Sequence, residues 1–98
     1  MEIDLHGTVA GAPHRFSGGA RGGDHESIPL RTGAGARVEV VANLDFMPWL
    51  GVRPGDDLIV RGELVRGYDG NRVVHWTHHD PGGRHVDGFI EWNGRRYA

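Results

Sequence analysis

The run Val74-His75-Trp76-Thr77-His78-His79-Asp80-Pro81-Gly82-Gly83-Arg84-His85 gathers four of the seven histidines of the chain. Imidazole is the commonest protein metal ligand and the usual proton carrier near neutral pH, so this stretch is the first place to look for chemistry. On an extended strand, successive side chains alternate between faces. His75, Thr77 and His79 would then share one side, and Trp76, His78 and Asp80 the other. His75 and His79 would stand about 13 Å apart, too far to share one zinc ion unless the strand curls. A better ligand set for a divalent metal such as zinc takes His78, His79 and Asp80 from the strand end. His85 completes it by returning across the Asp80-Pro81-Gly82-Gly83 turn. With no metal, His75 and His79 are the candidate base and acid, and Arg84 the group that steadies developing negative charge.

Each of these has a structural reading that takes precedence. Histidines commonly bond to backbone and to one another. An aspartate ahead of proline in a glycine-rich turn usually accepts its own backbone amides. Trp76 is expected in the core, with a ligand-stacking role as the second reading. Phe46 and Trp49 flank Met47-Pro48 and are expected to plug the core, and Glu63 is expected to form a solvated pair with Arg61. His14-Arg15-Phe16, with Arg21 beside the glycine run, offers a weak anion-facing edge.

The elements that must position these residues are short strands separated by glycine-rich turns. Alternation marks Glu2 to Ala10, with Ile3, Leu5 and Val9 on one side. Further strands are expected at His14 to Ser17, Glu26 to Arg31, Arg37 to Asn43, and Asp57 to Arg66. In the last of these, Leu58, Val60, Gly62 and Leu64 share a face. Gly18 to Gly23 reads as a loop, Leu44 to Leu50 as a single turn or plug, and Arg53-Pro54-Gly55-Asp56 as a turn. Tyr68-Asp69-Gly70-Asn71 carries a hairpin signal into a strand at Arg72 to His78. Val86 to Trp92 turns at Asn93-Gly94 into Arg95 to Tyr97.

This spacing predicts an all-β fold: a small antiparallel OB-like (oligonucleotide/oligosaccharide-binding) barrel of about five to seven strands, with residues 1–98 as a single domain. Gly55-Asp56 entering a strong strand, with Gly62 letting that strand bend, supports the barrel.

Composition narrows the class. The chain has 98 residues and no cysteine, which excludes disulfides and thiolate metal sites. Eleven basic residues, all arginine, stand against 13 acidic ones for a formal charge of −2. That balance does not favour wholesale phosphate binding, so nucleic acid is a permitted but not a favoured partner. No apolar run approaches the roughly 20 residues a bilayer crossing needs, and the first residues lack a signal-peptide pattern. The expectation is a cytoplasmic protein with no membrane partner.

His75 through His85, Gly88-Phe89-Ile90 and Asn93-Gly94-Arg95-Arg96-Tyr97 resemble a family of small bacterial proteins known as a domain of unknown function, DUF3465. Pro13-His14-Arg15-Phe16, Ala42-Asn43-Leu44-Asp45 and Gly55-Asp56 through Gly62-Glu63 fit the same resemblance, which spans most of the chain. The chain departs from the pattern at Phe89, where a tryptophan is expected, at Glu91-Trp92-Asn93, which lacks a histidine, and at Ala42, which replaces one. The resemblance implies an OB-like fold and no assigned activity.

Two function classes follow. The first is a binding module for an oligonucleotide, a sugar or a protein segment, with Arg61, Arg72 and Trp76 as ligand contacts and the histidine cluster as its centre. Arg66 belongs to the same contact stripe. The second is a metal-assisted hydrolase, a phosphodiesterase or nuclease, in which the His78, His79, Asp80 and His85 set holds a metal-bound water. No His-Glu-x-x-His, Walker or Gly-x-Ser-x-Gly motif is present.

Overall fold

The computed structural model describes residues 1–18, 23–67, 71–85 and 87–98. Eight strands run β1 (Glu2–Val9), β2 (His14–Ser17), β3 (Asp24–Thr32), β4 (Arg37–Asn43), β5 (Asp57–Arg66), β6 (Arg72–His75), β7 (Phe89–Trp92) and β8 (Arg95–Tyr97). Five of them close on themselves in the order β1-β3-β4-β6-β5, because β1 pairs with both β3 and β5. The β4–β6 ladder is parallel and the other pairings are antiparallel, so one parallel seam completes an otherwise antiparallel OB-like barrel. Strand β2 lies against the first half of β3, while β7 and β8 extend the sheet beyond β5.

Alternation builds the interior. Leu58, Val60 and Gly62 of β5 point inward, as do Val38, Val40 and Ala42 of β4 and Ile28 and Leu30 of β3. Together with Val74 and Ile90 they form one continuous core. Each large aliphatic side chain removed from water contributes about 1.5–3 kcal/mol before the entropy of ordering it is subtracted. The segment after β4 closes one end of the barrel. Phe46 and Met47 amides donate to the Asn43 carbonyl in a single turn, and Met47 and Leu50 drop into the core.

The plug is therefore made by Met47 and Leu50. Phe46 and Trp49, the aromatics expected to fill it, are exposed. Asn93-Gly94 turns as expected, both residues at positive φ, and the Asp56 amide donates to the Arg53 carbonyl at 3.0 Å. Residues 19–22 of the glycine loop, 68–70 of the β5–β6 hairpin and Val86 lie outside the described residues. Among the described residues no helix is long and apolar enough to cross a membrane.

Candidate functional site

Strand β6 stops at His75, four residues before the alternating pattern would carry His79 into place. Trp76 takes φ of +56°, a left-handed conformation unusual for a bulky side chain, and this ends the alternation. Two glycines hold the turn. Gly62 passes so close that a β-carbon there would lie 2.5 Å from the His75 carbonyl oxygen, and Gly88 is pressed likewise against the Trp76 carbonyl. Thr77 is then drawn inside, its hydroxyl donating to the Val41 carbonyl at 2.9 Å.

The consequence is a chain of stacked rings. Trp76 stacks on His75 at 4.4 Å and on His85 at 4.5 Å between centroids. His85 meets the edge of His78 at 5.3 Å, and His78 lies flat on Phe46 at 4.0 Å. Phe16 and His25 form a second stack at 5.1 Å on β2 and β3. Asp80 organises the return of the loop by accepting the backbone amides of Gly82 at 2.9 Å, His85 at 2.8 Å, and Arg84. Burial opposes ionisation of Asp80, yet the His85, Arg84 and Gly82 amides outweigh it and hold the carboxyl below its ordinary value.

Of the expected metal set, His78, Asp80 and His85 come near one another, but their nitrogen and oxygen atoms do not converge. His85 Nε2 stands 3.7 Å from the Asp80 carboxylate, and His78 Nδ1 bonds to the His79 carbonyl oxygen at 2.8 Å. His79 turns outward to pair with Asp87 at 2.9 Å. Among the described residues no group of three or more His, Cys, Asp or Glu side chains is arranged to hold a metal ion. Past the end of β6, His78 packs on Phe46 while His79 faces Asp87, so the two point to different surroundings.

The proton-transfer candidates separate too. His75 is half-buried with Nε2 unpartnered, and burial pulls its pKa below the ordinary 6.5 against the opposing pull of Glu63. His79 and Arg84 are exposed on the return loop.

Trp76 is not a core residue. It is 40% exposed, because the positive φ carries it off the inward face. Arg61 pairs with Asp4 through Nε at 2.7 Å and Nη2 at 3.3 Å, so the expected pairing with Glu63 is replaced. Glu63 instead takes the N-terminal ammonium group. Arg15 is bound to Asp24 at 2.8 Å, which removes it from the expected anion-facing edge, and Arg21 lies outside the described residues.

Arg72 has different surroundings. It lines a cavity of about 350 Å³ at the barrel mouth with Ile3, Leu5, Val38 and Leu64, and an adjoining one of about 280 Å³ with Arg37, Glu39 and Asn71. Across the ladders Arg72 faces Arg66, and Arg37 faces Arg31. Like charges placed directly opposite destabilise a sheet, and none of these four has an ion pair among the described residues.

Residues 2–98 match the model of the family described as "Protein of unknown function (DUF3465)". The chain belongs to that family. No curated protein and no solved structure matches it. The stretch from His75 to His85 is the ring lattice and its return loop, with Gly88 pressed against it.

Two features had no sequence signal strong enough to find them. The barrel mouth is lined from five separate segments, and of the expected ligand contacts only Arg72 lies on it. Glu26 is the other. It occupies an inward position of β3, fully buried, accepting the Leu50 amide at 3.0 Å on Oε1 and leaving Oε2 unpartnered. Burial pushes its pKa up.

Proposed function

We propose that this chain is a small non-catalytic binding module that takes an anionic ligand at the open mouth of its barrel, with Arg72 as the principal contact. The observation that carries this reading is the position of Arg72 on both cavities with no carboxylate partner among the described residues. A guanidinium left unpaired opposite another guanidinium is relieved by a bound carboxylate or phosphate, which it recognises through two parallel hydrogen bonds. Apolar walls with a few convergent polar groups are the usual make-up of a ligand site.

The ring lattice supports this role from a distance. His75 ends the same four-residue strand that Arg72 begins, so the stacked rings and the two close glycines fix the strand that carries the arginine. The hydrolase reading finds less support, because the His78, His79, Asp80 and His85 donors do not converge.

The test is an NMR titration of isotope-labelled protein with three probes: a short single-stranded oligonucleotide, a pool of oligosaccharides and a pool of peptides. Shifts gathered on Arg37, Leu64 and Arg72 support the reading. Shifts confined to the ring lattice, or none with any probe, overturn it.

A further inference from the structure

Strand β1 is paired along its whole length with β5 but touches β3 only from Gly7 to Val9. The hydrogen-bond parity is set at both ends. Met1 and Leu64 exchange backbone bonds of 2.7 and 3.3 Å, so the odd residues of β1 face β5, while the Ala10 amide donates to the Pro29 carbonyl and continues the even-residue pattern toward β3. The main-chain groups of Glu2, Asp4 and His6 therefore turn toward the seam where β3 has already left for its turn. No strand pairs with them there among the described residues. Such an edge is a template for an added strand.

The seam is also the cavity at the barrel mouth. Ile3 and Leu5 alternate with the free main-chain groups and point inward toward Leu64 and Val38, with the Thr32–Ala36 turn as the far wall and Arg72 at one end. The arginine sits at a definite end of the seam. Leu64, which bonds to Met1, pairs with Val74, so Arg72 lies beyond the start of β1. A strand added antiparallel to β1 runs from His6 toward Glu2 and brings its C-terminus to the guanidinium.

We infer that the barrel mouth captures the free C-terminus of a partner polypeptide, which adds as a short antiparallel strand on β1, buries an apolar side chain between Ile3, Leu5 and Leu64, and places its terminal carboxylate on Arg72. This rests on the anionic-ligand reading and names its ligand class. Three independent requirements of such a ligand meet at one place: main-chain donors and acceptors, an apolar slot, and a cation with no ion pair among the described residues. A nucleic acid strand would use the cation but leaves the β1 main-chain groups and the apolar slot unmatched.

The experiment uses the whole chain and degenerate hexapeptides ending in Leu, Ile or Val, synthesised with a free carboxylate and, in parallel, as C-terminal amides. Expected are amide shifts at Asp4 and His6 together with Leu64 and Arg72, and binding about tenfold weaker for the amidated peptides and for Arg72→Ala. Methylating the backbone nitrogens of the last residues weakens binding while Arg72→Ala leaves the NMR spectrum folded. Equal binding of acid and amide peptides, or shifts that skip Asp4 and His6, overturns the inference. If octanoate or an oligonucleotide shifts Arg72 while no peptide binds, strand addition is wrong and the anionic-ligand reading stands. If nothing shifts Arg72, both fall.

Discussion

Arg66 and Arg72 face each other directly across the β5–β6 ladder, and neither has a carboxylate partner among the described residues. Arg61, five residues before Arg66 on β5, is by contrast tied to Asp4 by two bonds. The contrast separates an arginine tied to a carboxylate from two that have no ion pair among the described residues.

The mismatch should be visible as a stability gain when it is removed. Arg66→Gln is expected to leave stability unchanged or raise it, by up to about 0.5 kcal/mol at low salt, because it deletes a repulsion and no ion pair among the described residues. The gain should shrink as salt is added. Thermal unfolding at two ionic strengths checks it, and a clear loss of stability would show that Arg66 has a partner in solution.

Glu26 is a buried acid with one unpartnered oxygen, and burial raises its pKa above the ordinary 4.5. The folded state therefore holds its proton to higher pH than the unfolded chain does. The sign follows: stability is greatest below the ordinary value and falls as pH rises toward the raised one. Glu26→Gln keeps the neutral form at every pH and is expected to stabilise at pH 8 by about 1 kcal/mol while flattening this dependence. Urea titrations at pH 5 and pH 8 measure both.

His75 works in the opposite direction. Its pKa lies below the ordinary 6.5, chiefly through burial, so the folded state keeps it neutral when the unfolded chain would protonate it. Its contribution is complete above pH 6.5 and is lost as pH falls through that value toward the lowered one. Trp76 stacks on His75, so protonation should be reported by its fluorescence. His75→Phe should remove the acid-induced change that sets in as pH falls below about 6.5. A change that persists in this variant would show that His75 is not its source.

Gly62 and Gly88 leave no room for a methyl group against the 75–77 backbone. Gly62→Ala is expected to cost about 3 kcal/mol, since backbone rather than a flexible side chain must move. Gly33→Ala, where nothing lies within 4 Å, should be close to neutral and serves as the control. Chemical denaturation of the two variants compares them directly.

Much of the barrel was legible because it is written in alternation. Leu58, Val60, Gly62 and Leu64 face the interior of β5 as their spacing requires, and Ile3, Leu5 and Val9 do so on β1. Asn93-Gly94 and Arg53 to Asp56 turned where their residue types demand. The course of the histidine run was not legible, for a local reason. Nothing in Val74-His75-Trp76-Thr77 marks a left-handed tryptophan, since that conformation goes with the close approach of Gly62 on β5 and Gly88 just before β7. Once alternation fails at Trp76, His79 goes to the surface and Thr77 goes inside. The mouth was hidden because pairing register decides which arginines oppose one another, and register is a property of the folded sheet.

The proposed ligand meets the barrel mouth and not the ring lattice. The most direct measurement is the isotope-edited NMR titration with carboxylate-ending and amidated peptides, read residue by residue. Shifts at Asp4, His6, Leu64 and Arg72 that weaken on amidation and in Arg72→Ala are the predicted result. Shifts centred on Trp76, His78 and His85, with Arg72 unmoved, would contradict it.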